Sequence, residues 1–75
     1  RQRISVERDE EGVWVVSGGA VDKLIARHDL ENEDALSHIE NRLRKMGVID
    51  ALDAAGFEFG DDVEIGGVLF DLDPE

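Results

Sequence analysis

The sequence predicts an α+β domain of order ββαααββ, in which two β-hairpins form one small sheet and three helices pack on it. Three observations carry the prediction. Strand-like runs of alternating or β-branched residues occur only at the two ends, in residues 4–16 and 63–72; apolar residues between them recur at helical spacing; and glycines stand at the boundaries.

Taken in order, Ile4 and Val6 alternate with Ser5 and Glu7, and the polar run Asp9, Glu10, Glu11, Gly12 then turns the chain into Val13, Trp14, Val15, Val16. This is a hairpin signature. Its second strand is apolar on both faces, which places it inside the sheet with Trp14 as a core anchor. Ser17, Gly18 and Gly19 end that strand, and Val21, Leu24 and Ile25 follow at helical spacing, with a stop near His28.

The central stretch, residues 32–56, organises the rest. Leu36, Ile39, Leu43 and Met46 make one helical stripe, and Val48, Ile49 and Leu52 begin another. Asn32 is a side-chain cap for the first N–H groups. Glu33 and Asp34 complement the positive end of the helix dipole and Arg42, Arg44 and Lys45 its negative end. Gly47 reads as a left-handed terminator that sets Val48 over Leu43, and Gly56 repeats the device with Phe57 and Leu52. Two helices therefore meet at a glycine-set corner. Beyond them, Val63 and Ile65 alternate with Asp62 and Glu64, and Gly66–Gly67 is a two-residue hairpin signal that sets Ile65 opposite Val68 and Val63 opposite Phe70.

Seventy-five residues make one small domain, residues 1–75, with a single core. The chain begins at Arg1 rather than Met, which predicts a piece of a longer protein. It has no Cys, so disulfides and thiolate metal sites are excluded; the chain suits a reducing compartment without demanding one, and the cytoplasm is the default expectation. No apolar run approaches the ~20 residues of a membrane span, and the isolated domain is expected to be a monomer without membrane contact.

The net charge of −11 is uneven: residues 1–45 hold ten acids and all eight bases, and residues 46–75 hold nine acids and no base. The ordinary role of such charge is solubility. An acidic face would also repel nucleic acid and attract a basic protein, and Asp61, Asp62, Glu64, Asp71 and Asp73 are the candidate protein-interaction surface. A secondary basic patch is Arg42, Arg44 and Lys45, the candidate for any RNA contact.

Catalytic signals are missing. His28 and His38, the two histidines, supply too few ligands for zinc. Asp71, Asp73 and Glu75 lack the glycine and downstream glutamate of a calcium loop. The phosphate-cradling motif G-x-x-x-x-G-K-[ST] is absent and the chain contains no Thr. No catalytic, cofactor-binding or metal residue is assigned, and the chain is not expected to be an enzyme.

Several segments carry a family resemblance: Val6-Glu7-Arg8-Asp9 with Gly12-Val13-Trp14-Val15-Val16, Arg42-Leu43-Arg44-Lys45-Met46-Gly47-Val48 with Ala51-Leu52 and Ala55-Gly56, and Gly60-Asp61-Asp62-Val63-Glu64-Ile65-Gly66. Together they resemble the C-terminal domain of the Obg family of bacterial GTPases, over nearly the whole chain. Gly67 in place of an acid and the aromatic pair Phe57 and Phe59 depart from that pattern. The resemblance implies a longer parent whose GTPase domain binds GTP or GDP with magnesium. It also implies association of that parent with the large ribosomal subunit, and action in ribosome assembly and in stress and growth control. This domain would then be an accessory, non-catalytic interaction or regulatory module that touches a basic ribosomal or regulatory protein. The alternative is a free-standing acidic protein that binds a basic partner, as an inhibitor or antitoxin does.

Overall fold

A computed structural model describes residues 3–70. Its elements follow the expected order: β1 (Ser5–Arg8), β2 (Trp14–Ser17), α1 (Gly19–Arg27), α2 (Glu33–Lys45), α3 (Val48–Ala55), β3 (Val63–Ile65) and β4 (Val68–Phe70). The four strands form one sheet in the order β1-β2-β3-β4. Each hairpin is antiparallel, and the two join through a parallel β2–β3 pairing that sets Trp14 beside Val63, Val15 beside Glu64 and Val16 beside Ile65. The three helices are the crossover between these parallel strands, which a parallel pairing requires because a tight turn cannot make it.

Strand alternation divides the sheet into two faces. Trp14, Val16, Val63, Ile65 and Phe70 point to the helices and are buried with Val21, Leu24, Ile25, Ile39, Leu43, Val48, Ile49, Leu52 and Phe57. The inside position of β2 predicted from its apolar character is observed, and Trp14 is a core residue, 6% exposed. On the other face, Glu7, Val15, Glu64 and Leu69 stand side by side across the four strands. Leu69 is 68% exposed there.

Local chemistry explains the boundaries. Asp9 closes the first hairpin: its Oδ1 accepts from the N–H groups of Glu11 and Val13, both at 2.9 Å. Asn32 Oδ1 accepts from the N–H groups of Asp34 and Ala35 at the start of α2. Gly47, at φ 89°, turns the chain between α2 and α3 while its N–H donates to the Arg44 carbonyl. At the end of α3, Gly56 donates to the Asp53 carbonyl and Phe57 to that of Leu52, the paired bonds of a Schellman ending. Gly66 and Gly67, with φ 59° and 83°, give the two consecutive left-handed residues of a type I′ turn, so the expected pairs Ile65–Val68 and Val63–Phe70 form.

Candidate functional site

The acidic residues singled out in the sequence have different fates. Asp61 turns inward: its Oδ2 accepts from Trp14 Nε1 at 2.9 Å and from the Glu58 N–H at 3.0 Å. The Arg8 guanidinium lies 3.9 Å from the same oxygen and covers the Trp14 ring, 4.8 Å from its centroid. The indole hydrogen bond, then the Glu58 N–H, then the Arg8 charge hold the Asp61 carboxyl below the ordinary aspartate range. Asp62 is exposed, and its carbonyl accepts from the Trp14 N–H where β2 and β3 begin to pair. Glu64 points to the helix-free face of the sheet, half-buried between Val15 and Leu69. Asp71 and Asp73 lie outside the described residues.

Glu64 shares a groove with residues the sequence reading left out. Where α1 passes the end of β2 and the Gly66–Gly67 turn, a hollow of about 420 Å³ is lined by Val15, Ile25, Ala26, Asp22 and Glu64. Its walls are apolar and it carries two carboxylates, so it has the chemistry of a receptor for a lysine or arginine side chain, whose methylene stem takes apolar wall and whose head takes charge. Nothing local in the sequence marks Asp22, which joins Glu64 only through the packing of α1 on β3. Glu7 extends the acidic row along the same sheet face.

The basic patch divides as well. Arg42 and Arg44, two positions apart, cannot share a face of α2, whereas Lys45 stands three positions from Arg42 and can. Arg42 lines a cleft between α1 and α2 with Arg27, His28 and His38, and an adjoining one with Lys23 and Met46. Arg27 is a further residue the sequence reading passed over, because its proximity to Arg42 is set by how two helices pack.

A small four-stranded α+β domain with three crossover helices and an acidic, partly apolar groove is thus the type the chain defines. Residues 4–71 match the family model described as a domain of unknown function, DUF1967, and the chain belongs to that family, the C-terminal domain of the Obg GTPases. It is similar to GTPase Obg of Heliobacterium modesticaldum, 41% identical over 71 residues and 95% of this chain. It is likewise similar to GTPase Obg of Tropheryma whipplei, 44% identical over 70 residues and 93% of this chain. A third relative, GTPase Obg of Rubrobacter xylanophilus, is 41% identical over 69 residues, 92% of this chain. The chain spans about 16% of the length of each of these three relatives.

Proposed function

We propose that this domain is a non-catalytic accessory module of an Obg-type GTPase and that it docks a basic protein through the acidic groove between α1 and the end of the sheet, together with the sheet face that carries Glu7, Val15, Glu64 and Leu69. The observation that carries the proposal is the pairing of Asp22 and Glu64 over the apolar wall of Val15, Ile25 and Ala26. Carboxylates on an apolar wall favour a basic, amphipathic side chain over a phosphate backbone, which they repel. Glu7 extends the negative surface along the sheet face, and Leu69 offers apolar contact at the edge strand.

The relatives are named GTPases and the chain spans a small share of them, which favours an accessory module over a free-standing acidic inhibitor. In this reading the parent supplies the GTP, GDP and magnesium chemistry, works in the cytoplasm and brings the domain to the large ribosomal subunit, where basic proteins are available. Among the described residues no helix is long and apolar enough to cross a membrane. Co-sedimentation of the chain with purified bacterial large ribosomal subunits tests the proposal. The wild-type chain should bind and be released by salt, and Asp22→Asn with Glu64→Gln should weaken binding about tenfold. Equal binding by wild type and double variant would refute it.

A further inference from the structure

In a chain with 19 acids and eight Lys or Arg residues, three of the eight, Lys23, Arg27 and Arg42, line two adjoining clefts between α1 and α2. One of these clefts, of about 500 Å³, is floored by Leu24 and walled by Arg27 and His28 from α1 and by His38 and Arg42 from α2. The two imidazole rings are 5.3 Å apart between centroids. Arg8 pairs with Asp61, and among the described residues neither Arg27 nor Arg42 bonds a carboxylate. Cations brought together without anions repel one another, and a bound anion would relieve that repulsion.

The histidines add a proton-dependent component. His28 Nδ1 lies 2.9 Å from the Leu24 carbonyl oxygen, which can only accept, so Nδ1 carries the proton. The other nitrogen, Nε2, is then an acceptor in the neutral ring and becomes a second donor when the ring is protonated. Two such rings could also hold a transition metal. Two fixed guanidinium charges in the same walls oppose a cation, and among the described residues no group of three or more metal-ligating side chains occurs. The charge of the cleft therefore selects an anion. The domain as a whole, with its net charge of −11, works against a long polyanion and admits a small one.

We propose that the cleft between α1 and α2 binds a small oxyanion of the phosphate class, with Arg27 and Arg42 as its permanent donors and His28 and His38 as donors that engage on protonation. The charged groups that line the cleft with the imidazoles are Arg27 on α1 and Arg42 on α2, and those nearest along the chain are Asp34, one turn before His38, and Asp29 and Glu31 in the connecting loop. Asp29 Oδ1 is occupied by the Glu31 N–H. A protonated imidazole carries a positive charge and a second N–H donor, so anion affinity should rise on acidification.

The test uses the 75-residue chain and sulfate, which keeps its double charge throughout, with nuclear magnetic resonance titration of the His28 and His38 rings and the Arg27 and Arg42 side chains at about pH 5.5 and about pH 7.5. Saturable shifts at these four residues are expected, with affinity about fivefold or more higher at the lower pH. Arg27→Gln with Arg42→Gln should lose about tenfold or more, and Arg42→Lys should retain part of the affinity. Because these positions are exposed or lie outside the core, the variants should fold as wild type does, checked by their unchanged tryptophan and methyl spectra. Inorganic pyrophosphate should bind at least as well as sulfate, and a single-stranded RNA of equal phosphate concentration more weakly. Shifts absent at both pH values, shifts unchanged in the double Gln variant, or RNA binding tighter than pyrophosphate would each overturn the proposal.

Discussion

The indole Nε1 of Trp14 donates a 2.9 Å hydrogen bond to Oδ2 of Asp61, 47 positions further along the chain. This bond ties β2 to the loop that enters β3, at the point where the two hairpins are joined by parallel pairing. The oxygen also accepts from the Glu58 N–H, and Arg8 from β1 closes over the indole. One carboxylate thus gathers the first hairpin, the central strand and the return loop.

Asp61 titration should make that tie pH-dependent. Its folded-state pKa is lowered, so its stabilisation is complete above the ordinary aspartate range and is lost as pH falls through that range toward the folded value. Asp61→Asn should be less stable than wild type at neutral pH, and its stability should fall less steeply on acidification. Denaturant unfolding at a series of pH values reads this directly; parallel profiles for the two proteins would contradict it.

Leu43→Ala should lower the unfolding free energy by about 2 to 5 kcal/mol. Leu43 is fully buried at the centre of α2, and Val48, fully buried beyond the Gly47 corner, belongs to the same core cluster. A denaturant midpoint equal to that of wild type would mean that α2 is packed through another face.

Two glycine substitutions should differ. A Cβ at Gly47 meets nothing within 4 Å, so Gly47→Ala should cost about 1 to 2 kcal/mol from its positive φ alone. At Gly66 the added Cβ would sit 3.1 Å from Ile25 Cβ and Cγ1, and Ile25 is a buried, β-branched residue with little room to turn. Gly66→Ala should therefore cost about 1 to 3 kcal/mol beyond the backbone term. Thermal unfolding of the two variants side by side checks the order, and equal losses would contradict the close approach of α1 to the second hairpin.

These contrasts show what a single sequence makes legible. Asn32, Gly47 and the Gly66–Gly67 pair act on their immediate neighbours, so caps, corner and hairpin register follow from local chemistry, and the α+β order follows from where each periodicity begins. The parallel pairing of β2 with β3 depends on packing across three helices, and two hairpin signals do not say which strands adjoin. The same holds for the sites. Glu64 could be named from its place in an acidic run, but its partner Asp22 comes from α1, and Asp61, named from the same run, is drawn inward by an indole 47 positions away. Arg42 was visible at a helix end, whereas the cleft it shares with Arg27 and the two histidines exists only once α1 lies against α2.

The acidic groove between α1 and the sheet is the centre of the proposed function, and its footprint can be measured on the chain itself. Methyl resonances of Val15 and Leu69 and the backbone amides of Glu7, Asp22 and Glu64 should shift or lose intensity most when substoichiometric large ribosomal subunits are added to the isotopically labelled domain, and those of Arg42 and Ala54 least. Perturbation greatest at Arg42 and Ala54, with Val15, Asp22, Glu64 and Leu69 the least affected, would contradict docking through the acidic groove.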